Sequence, residues 1–393
     1  MNLCILTSSY AVPGYDAHAG TFVPPLVEEW RQHGHRVSVL TPARGRAKGN
    51  SGPGNGVMRF PWLGDGRPIV AYSPFRVGDL RAILSLLREG TRSLCDLVQD
   101  EAIDHCLALW AVPSGYWARG AMRALGVPYS VWCLGSDLNQ WGHRPVTGRI
   151  IRTILRDATC CFADGIELAR KAETISGRSC DFLPTVRPLS LATAAPVALD
   201  REAVNLLFIG RWERVKGIDV LVEAMRAVRA RAPGVRLHVV GGGSLEGELR
   251  TQIAADGLQE AVLLHGSLPT EELTGYMVAC DAVVIPSRSE SIPLVFGEAV
   301  QAGKPLIVTD VGDMGDLIRK YGGGVVVPPQ SPQQLAEAIV SFAQDHQRGA
   351  PGAADRAELR ELFSVSRVVD QFLSAIGQIP AEDSTTKREV SQV

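Results

Sequence analysis

The chain has 393 residues, 46% of them hydrophobic, and a formal net charge of −2. This length predicts two domains with buried cores, and the near-zero net charge excludes a general electrostatic attraction to nucleic acid. No run approaches 18 apolar residues, so no segment is predicted to span a membrane. The charge is uneven, because residues 1–190 carry +5 and residues 191–393 carry −7, which indicates different partners for the two halves.

The first half begins with a β–loop–α–β pattern. Residues 3–7 form a strand pattern, residues 11–21 a loop rich in Pro and Gly, and residues 37–41 the next strand. The helix between them has apolar residues at spacings i, i+3, i+4 and i+7, which are Val23, Leu26, Val27 and Trp30. Further strands are predicted at 57–60, 105–110 and 128–133, with helices between them.

The second half repeats this alternation. Strands are predicted at 204–209, 236–240, 262–265, 282–285, 305–309 and 325–327. Helices are predicted at 217–231, 245–255, 270–279, 296–302 and 331–343. Strands that alternate with helices predict a parallel sheet covered on both faces. The predicted fold class is therefore α/β, with one doubly wound domain in each half.

The domain boundary is predicted near residue 190. The first domain is assigned to 1–190 and the second to 199–365, joined by a Pro-rich linker at 184–198. Residues 366–379 are predicted as a C-terminal helix. The polar segment 380–393 is predicted to be disordered, because it has few apolar anchors.

The eight cysteines indicate a reducing compartment. None forms a Cys-x-x-Cys pair and most lie in apolar runs, so free thiols are predicted rather than disulfides or a zinc site. The first six residues lack a basic region and a long apolar core, which indicates a strand rather than a signal peptide. We therefore expect a cytoplasmic protein.

The most informative stretch is Pro-Ser-Arg-Ser-Glu-Ser-Ile-Pro-Leu-Val-Phe-Gly-Glu at 286–298. An apolar strand precedes it and a helix follows, so Glu290 and Glu298 lie at a strand–loop–helix junction. In an open α/β sheet, ligands bind beyond the carboxyl ends of the strands. A carboxylate there accepts hydrogen bonds from sugar hydroxyls but repels phosphate. The alternative is a solvated loop glutamate and a glutamate that stabilises a helix N-terminus.

A second strand end carries positive charge. Ile209 is followed by Gly210 and Arg211, and Lys216-Gly217 opens the next helix. Glycine lets the backbone approach a ligand closely, while guanidinium and ammonium groups suit phosphate oxygens. The helix N-terminus adds N–H donors. The alternative is a pair of surface cations that neutralise nearby carboxylates.

Together, the two motifs resemble those of retaining glycosyltransferases of family 4. The resemblance spans about residues 1–376. It implies the GT-B fold, in which two Rossmann-like domains face across a cleft and a C-terminal helix crosses back to the first domain. The second domain would bind a nucleotide-sugar donor and the first domain the acceptor. Neither a metal ion nor a bound cofactor is expected, and no Asp-x-Asp sequence is placed to hold a metal.

The resemblance assigns the donor sugar and the ribose to the stretch 286–298. Glu290 would contact the donor sugar and act in catalysis. The backbone N–H groups of Ser291 and Ile292 would donate hydrogen bonds to donor oxygens. Glu298 would hold the nucleotide ribose.

The resemblance assigns the donor diphosphate to Arg211 and Lys216, with Gly210 beside them, and packing on the base to Leu268. Breaking the sugar–phosphate bond leaves growing negative charge on the diphosphate. Preorganised donors that meet this charge lower the barrier, typically by ~3–4 kcal/mol for one strong contact. Arg211 and Lys216 are therefore also predicted to be catalytic.

The first domain matches the family with two departures. Where the family often has Gly-Gly before the first helix, this chain has Ala19-Gly20, so close approach to the diphosphate depends on Gly20. Later, Gly135 and Asp137 match a His-Gly-x-Asp motif whose histidine is replaced by Leu134. Asp137 is assigned to the catalytic group. The replacement either retunes the activity or marks an inactive relative, because the family histidine lies near the donor sugar.

Three residues are candidates for the acceptor side. Trp110 and Ser114 follow a strand end and resemble the family's acceptor cleft, although a core tryptophan and a helix-starting serine explain them equally well. His18 lies in the first Gly-containing loop. It is the candidate to substitute for the missing histidine.

Two helical stretches combine apolar and basic residues. Residues 149–156 contain arginines among isoleucine and leucine. Residues 76–92 repeat the theme, with an apolar face made of Val77, Leu80, Ile83, Leu84 and Leu87. Such stripes are typical of core-facing helices. The alternative is a surface that rests on anionic lipid, which fits the positive first half.

The sequence therefore predicts a retaining hexosyltransferase that moves a sugar from a UDP- or GDP-linked donor to a hydroxyl of a glycan or lipid-linked acceptor. Cell-surface polysaccharide or glycolipid biosynthesis is the expected pathway, and the inner face of the cell membrane an alternative location. Two other functions remain open, a sugar-nucleotide epimerase of the same fold and a non-catalytic nucleotide-sugar binder, which Leu134 favours. An oxidoreductase is disfavoured because no Gly-x-Gly-x-x-Gly follows either first strand.

Overall fold

The computed structural model describes residues 1–10, 20–43, 56–67, 69–191, 194–195, 197–347 and 356–377. Within these residues the chain divides into two compact units. The first comprises Met1–Pro184 with the described residues from Val365 onward, and the second comprises Thr185–Ser364.

The first unit is built on a parallel sheet. Its strands are β1 (Asn2–Leu6), β2 (Arg36–Pro42), β3 (Val57–Phe60), β4 (His105–Leu109), β5 (Tyr129–Cys133), β6 (Cys161–Ala163) and β7 (Asp181–Phe182). Among the described residues they pair in the order β3-β2-β1-β4-β5-β6-β7, each pair parallel. Strands β4 and β5 are buried along their whole length, as expected for strands covered by helices on both faces.

Helices between these strands cover the sheet. They are α1 (Val23–Gln32), α2 (Val77–Asp100), α3 (Ser114–Leu125), α4 (Pro145–Asp157) and α5 (Ile166–Ser176). Helix α1 buries the apolar face predicted from its spacing. A short π-helical turn, Asp137–Trp141, follows β5.

The two basic, apolar stretches of the sequence form helices α2 and α4, which differ in whether the predicted apolar face is buried. In α4 the apolar residues Ile151, Ile154 and Leu155 are buried, so this stretch faces the core and the lipid-surface alternative does not apply to it. Helix α2 instead buries another face, which contains Ala82, Leu86, Gly90, Leu94 and Leu97. Part of its predicted apolar face is exposed, with Val77 70% and Leu84 56% accessible to solvent.

The second unit has its own parallel sheet. Its strands are β8 (Val204–Ile209), β9 (Val235–Val240), β10 (Val262–Gly266), β11 (Ala282–Ile285), β12 (Leu306–Thr309) and β13 (Gly324–Val327). In the described part of this unit they pair in the order β10-β9-β8-β11-β12-β13. All the pairs are parallel. The central strands β8 and β11 are neighbours, which brings the loops that follow them to the same edge of the sheet.

The helices of the second unit begin after these strand ends. They are α6 (Ile218–Arg231), α7 (Glu246–Ala255), α8 (Thr270–Ala279), α9 (Leu294–Gln301), α10 (Met314–Tyr321), α11 (Pro332–Gln347) and α12 (Ala357–Leu362). The strand and helix bounds lie within a few residues of those predicted. The α/β fold class with two doubly wound parallel sheets is therefore confirmed.

The last described helix, α13 (Val365–Ala375), packs within the first unit. The hydroxyl of Ser366 donates to Glu29 on α1 at 2.5 Å. The ring of Phe372 lies edge-on to Trp30, with ring centroids 5.3 Å apart. The predicted tail 380–393 lies outside the described residues.

The boundary between the units differs from the predicted position at residue 190. It falls after Pro184, because the start of the predicted linker is bound to the second unit. The backbone N–H of Leu189 donates to the side chain of Gln301 at 3.2 Å, and Gln301 donates back to the carbonyl of Arg187 at 3.1 Å. This reciprocal pair fastens the segment to α9.

A chain of hydrogen bonds links β8, β9, β10 and α8 in the second unit. Tyr276 Oη contacts His265 Nδ1 at 3.2 Å, His265 Nε2 contacts His238 Nδ1 at 3.0 Å, and His238 Nε2 contacts Asn205 Oδ1 at 3.1 Å. The Asn205 amide donates to the carbonyls of Asp200 and Ala203, so its oxygen must face His238. When both imidazoles are neutral, each group can therefore donate to the next one in the order Tyr276, His265, His238, Asn205. Protonation of His238 would place its Nδ1–H against Nε2–H of His265.

We expect the free energy of unfolding to fall as the pH falls from about 6.5 toward 4. Burial lowers the pKa of His238 from 6.5 to about 4, so in this window the unfolded chain binds a proton that the folded chain does not. The contribution of His238 to this loss should reach at most about 3 kcal/mol. Urea unfolding at pH 7.5 and pH 5 measures it. His238→Gln should flatten the dependence, and an equal slope in both proteins would contradict the assignment.

Candidate active site

The loop after β8 is held closely against the loop after β9. Gly210 N–H donates to the carbonyl of Val240 at 3.1 Å, and Trp212 N–H donates to that of Gly242 at 2.9 Å. Gly241 has φ +135°, and a Cβ there would overlap the carbonyl oxygen of Gly210. The glycines after β9 therefore allow close backbone packing against the loop after β8, which supports that loop.

Lys216 lies at the end of a single 3-10 turn, Arg214–Lys216, directly before α6. Gly217, which follows, has φ +69°, and a Cβ at this position would overlap the carbonyl oxygen of Pro286. The carbonyl of Val215 accepts a hydrogen bond from Arg288 N–H at 2.8 Å. The loop after β8 is thus in direct backbone contact with the loop after β11.

This contact brings the predicted phosphate and sugar residues together. The ammonium of Lys216 forms an ion pair with Oε1 of Glu290, and both side chains are half-buried. One positive and one negative group therefore lie side by side at the ends of adjacent strands. Such a pair suits a ligand that is anionic on one side and rich in hydroxyl groups on the other.

A third loop, which follows β12, supports Glu290 from the other side. Gly312 has φ +54°, and a Cβ there would overlap the carbonyl oxygens of Glu290 and Ser291. The hydroxyl of Thr309 donates to the carbonyl of Ser287 at 2.6 Å. The motifs in the sequence did not identify this loop, although the Asp-Val-Gly-Asp after a predicted strand was a signal for it.

Glu298 is placed on α9 in an unexpected environment. Its side chain is 0% exposed, and its Oε1 is held by Nε and Nη2 of Arg187. Its Oε2 is buried and has no hydrogen-bond partner among the described residues. Burial raises the pKa of Glu298, and Arg187 opposes that rise. The predicted ribose contact is therefore not presented at the surface, and Arg187, which the sequence placed in a linker, is an addition to the site.

The remaining predicted donor residues are less enclosed. The Arg211 side chain is exposed and makes no hydrogen bond or ion pair with the described residues. Ile292 is buried, and Ser291 and Leu268 are half-buried. Arg211 therefore remains available to an anionic ligand.

In the first unit, Asp137 is buried rather than open to a ligand. Its Oδ2 accepts a hydrogen bond from Ala111 N–H at 2.8 Å, and its Oδ1 accepts one from Leu138 N–H at 3.1 Å. Burial raises the pKa of Asp137 despite these bonds. The assignment of Asp137 to the catalytic group stays a prediction, and in the structure its carboxylate positions the turn at Ala111.

The turn held by Asp137 contains two of the three acceptor-side candidates, Trp110 and Ser114. Trp110 has φ +69°, an uncommon conformation for a non-glycine residue. Ser114, at the start of α3, is fully buried, and its hydroxyl has no hydrogen-bond partner within the described part of the chain. Gly20 has φ +68° and lies close against the carbonyl of Ser9. His18 lies outside the described residues.

Across the described ranges, no group of three or more His, Cys, Asp or Glu side chains is placed to hold a metal ion. No helix in the same ranges combines the length and the apolar character that crossing a bilayer requires.

Family models match both units. The model described as glycosyl transferases group 1 matches residues 194–357, and the model described as a glycosyl transferase 4-like domain matches residues 19–179. The chain belongs to the group 1 glycosyltransferase family, which confirms the resemblance inferred from the two motifs.

Relatives support this placement over part of their length. D-inositol 3-phosphate glycosyltransferase of Arthrobacter sp. (strain FB24) is 32% identical over 209 residues, which cover 49% of either chain. The glycosyltransferase TuaC of Bacillus subtilis (strain 168), named for teichuronic acid biosynthesis, is 28% identical over 260 residues, 63% of either chain. The chain thus spans about half to just under two thirds of these relatives.

Two solved structures share the fold over nearly the whole chain. Sucrose-phosphate synthase of Thermosynechococcus elongatus superposes with a TM-score of 0.70 at 19% identity and covers 96% of this chain and 98% of its own. HepE of Anabaena, in complex with UDP and glucose, gives a TM-score of 0.70 at 18% identity and covers 96% and 100%. At these identities the likeness shows the fold alone.

Proposed function

We propose that this protein is a retaining, metal-independent glycosyltransferase. It transfers a sugar from a UDP- or GDP-linked donor to a hydroxyl of a glycan or lipid-linked acceptor. The observation that carries this proposal is the pairing of Lys216 with Glu290 at the ends of adjacent strands. A nucleotide sugar needs both groups, because its diphosphate seeks a cation and its sugar hydroxyls seek a carboxylate.

The leaving diphosphate binds at the start of α6. Lys216 supplies an ammonium, and the N-terminus of α6 supplies backbone N–H groups and a partial positive charge. Arg211 adds a guanidinium from the same loop. These groups meet the charge that grows on the diphosphate as the bond to the sugar breaks, which lowers the barrier without a metal ion.

The donor sugar binds beside Glu290. The carboxylate accepts hydrogen bonds from sugar hydroxyls, and the backbone N–H groups of Ser291 and Ile292 donate to donor oxygens. Glu298 stays the proposed ribose contact through Oε2, the carboxylate oxygen that has no hydrogen-bond partner among the described residues. The acceptor hydroxyl attacks on the face from which the diphosphate leaves, and the leaving phosphate takes its proton.

Relatives suggest the chemistry of the substrates. HepE binds UDP and glucose, and two relatives act on inositol phosphate or in teichuronic acid biosynthesis by name.

All eight cysteines are free thiols, which fits a reducing cytoplasm. Cell-surface polysaccharide or glycolipid biosynthesis is the proposed pathway.

Thermal melting with nucleotides tests the donor site. A nucleotide at one hundred times its Kd adds about 2.7 kcal/mol to the native state, so UDP or GDP should raise the melting temperature while AMP should not. A flat response to both nucleotides would argue strongly against the proposal.

Product analysis separates the alternatives. A transferase gives glycosylated acceptor, whereas a sugar-nucleotide epimerase gives isomerised donor without any acceptor. The replacement of the family histidine by Leu134 favours a third outcome, in which nucleotide binds and nothing turns over. A melting shift without product in either assay would therefore identify a non-catalytic binder.

The first unit also carries a surface that suits an anionic membrane. Phe75 is 92% exposed directly before α2, and Val77, Leu80 and Leu84 are exposed on the side of α2 opposite its buried face. Arg76, Arg81, Arg88 and Arg92 lie in the same stretch and are exposed. Exposed apolar residues among arginines match the interface of a bilayer with acidic lipids. A membrane position at the cytoplasmic face would place a lipid-linked acceptor within reach.

Liposome pelleting tests this surface. The protein should pellet with vesicles that contain phosphatidylglycerol at low salt, and less so as salt rises. Phe75→Ser with Leu84→Ser should abolish pelleting. Leu125→Ser, which alters an exposed apolar residue on α3, is the matched control. Absence of binding at low salt would rule the membrane surface out.

A further inference from the structure

Arg288 links the loop after β8 to the loop after β11, which together are the two ligand loops. It has no role in the proposed chemistry. It lies in the loop after β11, before Glu290. Its backbone N–H donates to the carbonyl of Val215 at 2.8 Å. Its guanidinium donates to the carbonyl of Arg214 and, at 3.4 Å, to the side chain of Gln330.

The same guanidinium forms a two-pronged ion pair with Asp219. Nη1 donates to Oδ1 at 2.6 Å and Nη2 to Oδ2 at 2.8 Å. The two side chains are 23% and 13% exposed, so the pair is shielded from solvent and has a fixed geometry. Asp219 belongs to the first turn of α6. Asp219 also contacts Arg214 at 3.2 Å.

These contacts surround Lys216 in the chain. Arg214 and Val215 precede it and Asp219 follows it, and all three bind Arg288. Arg288 itself precedes Glu290 by two residues in the loop after β11. Among the described residues, the Arg288 side chain therefore contacts Arg214 and Asp219 on both sides of Lys216, while the backbone joins the same loops at Val215 and Gly217.

We propose that Arg288 is a positioning residue that sets the contact between Lys216 and Glu290, and so aligns the diphosphate of a donor with its sugar. This inference rests on the proposed function for its kinetic part. A displacement near 1 Å in the reacting groups can cost about 100-fold in rate. A lysine cannot replace Arg288, because an ammonium does not present the planar fork that matches both oxygens of Asp219.

The first experiment is independent of activity. Melting temperatures of Lys216→Ala, Glu290→Ala and the double variant should be non-additive, because the two side chains are paired. The same three changes in an Arg288→Ala background should be additive. Non-additivity that persists without Arg288 would overturn the proposal, whatever reaction the protein catalyses.

The second experiment measures alignment. Arg288→Ala, Arg288→Lys and Asp219→Asn should each lower kcat about 10- to 100-fold, while the KM for the donor changes less than fivefold. Arg226→Ala removes an exposed arginine that pairs with Asp256 on the outer side of α6, and it should leave kcat unchanged. A folded Arg288→Lys variant with the kcat of the wild type would overturn the proposal. Failure of the proposed function shows separately, as a wild-type protein whose melting temperature ignores UDP and GDP.

Discussion

Lys216→Ala should lower turnover at least ~100-fold, because in the proposed mechanism it removes the cation that meets the charge of the departing diphosphate. The structure adds a second effect. Lys216 is the ion-pair partner of Glu290, so its removal leaves an uncompensated carboxylate next to the diphosphate. The KM for the donor and the Kd for UDP or GDP should therefore both rise.

Glu290→Ala should also lower turnover at least ~100-fold, but with the opposite effect on nucleotide affinity. Its removal frees the ammonium of Lys216 for the diphosphate, so UDP or GDP should bind as tightly as before or more tightly. The double variant should bind nucleotide better than Lys216→Ala alone. Steady-state kinetics and nucleotide titration by calorimetry measure these quantities.

The matched control is a second ion pair in the same unit. Arg250 and Glu246 form an exposed pair along α7 at 2.9 Å, and such pairs contribute about 0–1 kcal/mol. Arg250→Ala and Glu246→Ala should therefore retain wild-type turnover. Unchanged turnover in Lys216→Ala or Glu290→Ala would refute the roles assigned to these residues, and equal nucleotide affinities in both would refute the pairing.

The fold was predictable because its signals are local. Strand β8 and helix α8 have the predicted bounds, since apolar runs and glycine punctuation define them within a few residues. Helix α2 continues to Asp100 beyond its predicted end, because Leu94 and Leu97 extend the buried spacing. Which face of that helix is buried was not predictable in the same way. Two of its faces carry apolar residues, and packing decides which one is buried.

The site was predictable at its motifs but not in its connections. Glu290 and Lys216 follow recognisable strand ends, and the order of a parallel sheet brings such ends together. Arg187 and Gly312 were missed because their importance comes from partners that are distant in the chain. No local pattern distinguishes Arg187 from any other arginine in a Pro-rich segment.

The burial of two predicted site carboxylates was the property least predictable from the sequence. Glu298 and Asp137 match family motifs, yet both carboxylates are enclosed and bound by groups of their own unit. A motif specifies a residue type at a position in the chain. Whether that side chain contacts a ligand or holds a neighbouring loop depends on packing, which spacing does not encode.

Gly217→Ala should cost about 3 kcal/mol or more of unfolding free energy. Gly217 has φ +69°, where a non-glycine residue is strained by about 1–2 kcal/mol. A Cβ would also overlap the carbonyl oxygen of Pro286. Because that atom belongs to the backbone, no rotamer change relieves the overlap, and the two ligand loops must separate.

Gly257→Ala is the control that isolates the overlap from the backbone strain. Gly257 has φ +64°, nearly the same as Gly217, but nothing lies within 4 Å of a Cβ at that position. It should therefore lose only about 1–2 kcal/mol in urea unfolding and keep full turnover. Gly217→Ala should lose the additional stability and most of its turnover, since separated loops no longer hold Lys216 against Glu290. Equal stability of the two variants would mean that the loop after β8 can move to relieve the overlap at little cost in free energy. The contact between Gly217 and Pro286 would then not define the site.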